Sequence, residues 1–163
     1  MIFIVIGILL ICIYGIVRLY LENRKYKKLN DSISFRESMD LTNLPIITCT
    51  QGSLKYNFLI DTGSTRSIIN SSLQNDIIHE PLNIKTTITG AGEGELNATI
   101  SKVYFNFKDK QYSDDFQFAD MSNAFDSIKN SSGVTIHGIL GNTFLDKYRY
   151  IIDFSKYVAY PNR

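Results

Sequence analysis

An all-β domain carried behind an N-terminal membrane helix is what this sequence predicts, and three observations predict it. From residue 44 onward the apolar residues fall in short β-branched and aromatic runs broken by Gly, Asn, Asp and Ser, the pattern of strands joined by turns. Residues 1–17 carry no charge at all. Helix-like spacing within the domain is confined to brief stretches. With 163 residues, 44% of them hydrophobic, the chain suits one folded domain and is too apolar for a disordered one.

The N-terminal segment comes first. Taken from Met1 to Leu21, past Arg18, a helix reaches ~31 Å at ~1.5 Å per residue, enough to span a bilayer. Its flank, residues 18–28, holds Arg18, Arg24, Lys25, Lys27 and Lys28 against Glu22, a net +4. The whole chain is +1, so the remainder is +1 − 4 = −3. Two expectations follow. Nucleic acid is excluded as a partner, because the basic residues cluster beside the apolar segment instead of forming a phosphate-binding face. The positive-inside rule puts the flank, and the domain after it, on the cytoplasmic side of a single-pass anchor over 1–21. A cleaved signal peptide competes for this segment, without a basic n-region or an A-x-A-like site. Cys12 in the anchor and Cys49 in a predicted strand cannot pair within the domain, which fits a reducing compartment. Residues 22–43, charged and poor in apolar positions, read as a juxtamembrane linker, and the folded domain is expected over 44–163.

Residues 44–50 and 54–60 are apolar runs separated by Gln51-Gly52-Ser53, a hairpin signal. The second run drives Phe58, Leu59 and Ile60 into Asp61-Thr62-Gly63-Ser64, after which 67–70 continues as strand. A carboxylate is thereby expected at the tight tip of two buried strands. Gly63 is expected to supply a positive φ, with Thr62 and Ser64 bonding locally to backbone and carboxylate. An acid held short of solvent is stabilised when it shares a proton with a second acid, which splits the pair into one acid and one base. The chain offers only one such loop. A plain Asp-x-Gly turn is the bland alternative.

Residues 71–76 read as one helical turn capped by Ser71 or Ser72. Strands over 83–89 and 95–101 flank Gly90, Ala91, Gly92, Glu93 and Gly94, a glycine-rich hairpin tip. The spacing is not that of a dinucleotide loop, and a strand follows it. Residues 102–108 alternate Val103, Phe105 and Phe107 against Tyr104 and Asn106, turn at Asp109-Lys110, and return over 111–119 with Phe116 and Phe118 on one face. A short helix is expected over 120–132, capped by Asp120 or Ser122 and ending near Gly133. Val134 to His137 reads as a strand running into Gly138-Ile139-Leu140-Gly141, where Gly141 is expected to permit close backbone approach. A short helix follows around Phe144 and Leu145, then a terminal hairpin across Ser155-Lys156.

Asp61-Thr62-Gly63-Ser64 resembles the active-site signature of the aspartic proteases. A single copy in a short chain resembles the retropepsin-like branch, in which two identical subunits each give one Asp. Gly138-Ile139-Leu140-Gly141 looks like the apolar-apolar-Gly motif that packs under the catalytic loop in that family, and the glycine hairpin of 90–94 lies where the family carries a flap. The resemblance spans about residues 44–160 and rests on two short motifs. It implies a closed β-barrel with one short C-terminal helix, catalysis by Asp61 with Thr62, Gly63 and Ser64 in support, a homodimer as partner, a polypeptide substrate and no cofactor. The competing expectation is a catalytically inactive domain of the same ancestry that binds peptides or assembles at the membrane.

Other chemistries lack their residues. His79 and His137 are the only histidines and belong to no zinc motif, and no G-x-S-x-G elbow occurs. Ser64 has no histidine placed to activate it. Asp153 has no glycine turn about it and is set aside as a second catalytic acid.

Overall fold

A computed structural model describes residues 2–30, 32–89 and 94–162, and within its first helix the side chains of 6, 7 and 9–21. That helix, α1 (Ile2–Asn30), leaves Ile6, Leu9, Leu10, Ile11, Ile13, Ile16, Val17 and Leu19 all exposed. Among the described residues no helix is long and apolar enough to cross a membrane.

The 22–43 segment, read as a linker, takes part in the fold. Its end forms β1 (Ile33–Ser34) and α2 (Arg36–Thr42), and Ile33 and Phe35 are 2% and 1% exposed in the main core. The physical reason is pairing at a distance: Ile33 lies opposite Ala159 in β10 (Val158–Pro161), which also pairs with β9 (Tyr150–Asp153). The Phe35 ring packs edge-on against Phe154 and Tyr157. Ser38 then ties α2 to the domain, its Oγ donating to the carbonyl of Leu44 at 2.9 Å.

The expected hairpin forms as β2 (Ile46–Gln51) and β3 (Leu54–Ile60), with Gly52 at φ +59 in the turn. Along β3, Tyr56, Phe58 and Ile60 are buried. Leu59, expected to be as buried as its neighbours, is partly buried against a second, smaller cluster on the other side. The chain continues through β4 (Ile68–Asn70), a 3₁₀ turn over Ser71–Leu73, and β5 (His79–Thr89). Asn70, not Ser71 or Ser72, takes the N-cap position of that turn, without a side-chain cap bond. β6 (Glu95–Phe107) is one strand where two were expected, because it stays paired with β5 up to His79↔Val103 and with β7 (Lys110–Ala119) from Thr99 onward. The β6–β7 turn falls at Lys108 and Asp109, and Lys108 takes the positive φ of +52.

Helix α3 (Ser122–Ser132) ends as expected at Gly133, whose φ of +77 makes the left-handed cap. Its N-cap position is Met121, but Asp120 accepts from the Ser122 N–H at 3.0 Å and thereby holds the first turn. The strand expected from Val134 begins only at Gly138: β8 is Gly138–Leu140. α4 (Asn142–Lys147) follows, so among the described residues the domain holds three α-helices where one short C-terminal helix was expected from the resemblance.

The larger sheet runs β2-β3-β8-β4-β7-β6-β5, and Thr50 of β2 also pairs with Asn106 of β6. That pairing closes the strands into a barrel, with β5 extending from it. Aromatic side chains fill the interior, with the Phe58 ring 5.5 Å from Phe105 and 5.7 Å from Phe116, and Phe105 5.7 Å from Phe144. Burying each such ring contributes roughly 1.5–3 kcal/mol. These residues fix β3 and α4, the two elements that deliver the site.

Candidate active site

β3 and β4 are consecutive in sequence but not neighbours in the sheet. β8 lies between them, parallel to β3 through Ile60↔Leu140 and antiparallel to β4 through Ile68↔Ile139. The connecting loop, residues 61–67, must therefore arch over the end of β8. The residue beneath that arch is Gly141, and a Cβ on it would sit 2.4 Å from the Arg66 carbonyl oxygen and 2.9 Å from that of Ser64. Gly138 is equally constrained, with the Ile68 carbonyl oxygen 2.4 Å and the Phe58 ring 2.8 Å from any Cβ. The close approach expected at Gly141 is thus present, and Gly138, for which none was expected, has one as well, with Ile139 and Leu140 buried between them.

Backbone bonds suspend the arch. Asp61 N–H donates to the Leu140 carbonyl at 3.1 Å, Asn142 N–H to that of Ser64 at 2.9 Å, and Asn142 Nδ2 to that of Thr62 at 3.0 Å. Asp61 is half-buried at the tip, and its Oδ1 accepts the Gly63 N–H at 2.8 Å. Gly63 does not have a positive φ, contrary to expectation. What it supplies is room, since a Cβ would lie 3.1 Å from that same carboxylate oxygen. Thr62 is exposed and takes part through its backbone carbonyl. Ser64 Oγ turns away from Asp61 and donates to the Arg66 carbonyl at 2.7 Å, bracing the loop instead of the acid.

Behind the loop, Ser67 and Thr143 meet a buried acid that sequence reasoning passed over, Asp114 on β7. Its signal was present: Tyr112, Asp114, Phe116 and Phe118 alternate in phase, and all four are buried.

Of the glycine hairpin, Gly90, Ala91, Gly92 and Glu93 lie outside the described residues. The strands on either side pair through Thr89↔Glu95, and Gly94 has a φ of +108. Asp153 is occupied elsewhere: hydrogen bonds from Lys156 Nζ at 2.8 Å and from Ser155 hold its pKa down at about 2, and it serves the β9–β10 turn. Among the described residues no group of three or more His, Cys, Asp or Glu is placed to hold a metal.

His137 stitches β8's approach to β3. Its Nδ1 accepts the Asn57 N–H at 2.9 Å, its own N–H donates to the Asn57 carbonyl, and its ring stands edge-on to Tyr56. Asn57 lies four residues before Asp61, so His137 is a support of the strand and not a group at the acid. Burial lowers its pKa from 6.5. The unfolded chain therefore takes up a proton that the folded chain refuses as pH falls through 6.5, and stability is lost from there downward until the folded pKa is reached. Urea midpoints should be lower at pH 5.5 than at 7.5, and His137→Gln should flatten that difference. An equally steep slope in the variant removes His137 as its cause.

A cavity of about 460 Å³ adjoins the loop, lined among others by Thr62, Asn142, Leu145, Ile151 and Ile152. Ile151 and Ile152 belong to β9, which pairs on one side with β10 and forms the edge of the order β1-β10-β9. Among the described residues β10 is the strand partner of β9, and Ile151 and Ile152 bring the other edge of β9 beside the arch.

Among solved structures, the chain is similar to the crystal structure of the retroviral protease-like domain of Ddi1 from Leishmania major, with a TM-score of 0.49 and 13% sequence identity over 74% of this chain and 89% of that one. No family model matches the chain, and no curated protein matches it.

Proposed function

We propose that this chain is a membrane-anchored, retropepsin-like aspartic endopeptidase that works as a two-fold homodimer. The observation that carries the reading is a single half-buried carboxylate, Asp61, held at the tip of a loop arched over Gly141, where any Cβ would lie 2.4 Å from the loop's backbone. One acid per chain is half of a dyad, so two chains must meet tip to tip. The β9 edge at Ile151 and Ile152, beside Thr62, is where a second copy would add without disturbing the barrel.

In the dimer the two Asp61 carboxyls share one proton, since like charges in contact cannot both ionise. The ionised one takes a proton from a water whose oxygen bonds to the peptide carbonyl carbon. The protonated one hydrogen-bonds the carbonyl oxygen and gives up its proton as that oxygen gains charge. The tetrahedral intermediate then collapses. The C–N bond breaks as the nitrogen takes the proton that the first carboxyl gained from water, while the second, now ionised, takes a proton back from one hydroxyl of the intermediate, leaving a carboxylic acid, an amine and a dyad that again holds one proton. The hairpin carrying Gly90, Ala91, Gly92, Glu93 and Gly94 closes over an extended peptide substrate, and the chemistry needs no cofactor.

The anchor over 1–21 rests on the uncharged run of 1–17, on the exposed apolar side chains among residues 6–21 that are described and on the Lys/Arg flank, which puts the domain on the cytoplasmic side. Holding both copies in one bilayer raises their effective concentration, so a weak dimer is populated. Cross-linking in native membranes should trap a pair through β9. A chain that stays monomeric there while it cleaves peptides sinks the two-chain dyad, and a dimer that binds peptides without cleaving them favours an assembly module.

A further inference from the structure

The proposed chemistry leaves one buried acid unused. Asp114 is 5% exposed and lies on the inward face of β7 between Tyr112 and Phe116. A carboxylate is expensive in such surroundings unless its oxygens are satisfied. Oδ2 accepts from Ser67 Oγ at 2.6 Å and from Thr143 Oγ1 at 2.9 Å. A carboxylate oxygen has no proton to give, so both hydroxyl protons are committed to it. Each hydroxyl then turns its lone pairs on a backbone N–H of the opposite motif. Ser67 Oγ accepts from Gly141 at 3.2 Å, and Thr143 Oγ1 accepts from Ser67 at 3.3 Å.

Ser67 is the last residue of the arch, and Gly141 and Thr143 begin the segment from which it hangs. Asp114 comes from neither. We infer that Asp114 is a positioning residue: by orienting the Ser67 and Thr143 hydroxyls it locks the exit of the catalytic arch to the Gly141 segment and so fixes where Asp61 stands above β8. The effect on cleavage rests on the peptidase reading given above, whereas the effect on the arch does not.

Asp114→Ala in the full-length chain removes the acceptor, and Asp114→Asn keeps an oxygen in its place. Amide hydrogen exchange at Ser67, Gly141, Asn142 and Thr143 should quicken about tenfold or more in Asp114→Ala, leave the 46–60 hairpin unchanged, and return most of the way in Asp114→Asn. Turnover should follow, with kcat falling and KM held. Thr143→Val, which keeps the shape and loses one hydroxyl, should give a smaller change of the same kind and serves if Asp114→Ala does not fold. Unchanged exchange at these four amides, or equal quickening across the hairpin, overturns the positioning role. Asp61→Asn beside them separates the two claims: cleavage surviving in it removes the peptidase reading and leaves the exchange result standing.

Discussion

Asp61→Asn is expected to abolish peptide cleavage while leaving the fold intact. Asn keeps an oxygen where the Asp61 Oδ1 accepts the Gly63 N–H at 2.8 Å, so the loop retains its bond. What disappears is the ability to take and return a proton, and in a homodimer a single substitution removes it from both halves of the dyad. Loss of general acid and base function at once predicts a fall in kcat/KM of about 10³-fold or more. Cleavage of a peptide library by wild-type and variant chains in matched detergent measures it, with the unfolding midpoint as the control for folding. Cleavage that survives in folded Asp61→Asn protein rules out this carboxylate as the catalytic group.

Gly141→Ala is expected to destabilise the domain severely. The added carbon would sit 2.4 Å from the Arg66 carbonyl oxygen and 2.5 Å from its carbon, both backbone atoms of the arch. Neither can rotate away, so the arch must lift or β8 must sink. Overpacking against backbone at this distance destabilises by about 3 kcal/mol or more, which lowers the thermal midpoint by roughly 10 °C in a domain of this size. Gly52→Ala is the matched contrast: nothing lies within 4 Å of its Cβ, and only the φ of +59 is strained, so it should lose about 1–2 kcal/mol. Similar midpoints for the two variants would show that the arch yields to a methyl and that Gly141 is not its floor.

Those two residues mark what was legible in the sequence. A carboxylate after an apolar strand, with a glycine two residues on, is a local signal, and so is Gly141 after three apolar or glycine positions. Local signals survive because a turn or a close approach demands a residue type on the spot. Gly63 shows the limit, since its type was read correctly and its reason was not: it clears space for the Asp61 carboxylate instead of adopting a positive φ. Ile33 and Phe35 were missed because two apolar residues in a polar stretch have no period. Their burial comes from Ala159 and Tyr157, at the far end of the chain. The single long β6 was missed for a similar reason: Ser101 and Lys102 look like a break, while both keep partners in β7. Asp114 was in phase with its aromatic neighbours, yet an acid beside Asp115 in a polar-looking stretch reads as surface until Ser67 and Thr143 arrive from elsewhere.

The slot that β8 occupies between β3 and β4 also sets an order of events during synthesis. The catalytic turn is made early by the ribosome, but it has nothing to arch over until Leu140 has emerged to lie beside Ile60. Contacts between residues so far apart form late in folding. A nascent chain would carry an unassembled Asp61 loop for about half of its translation, from residue 61 to residue 140, and the arch takes shape only when the chain is nearly finished.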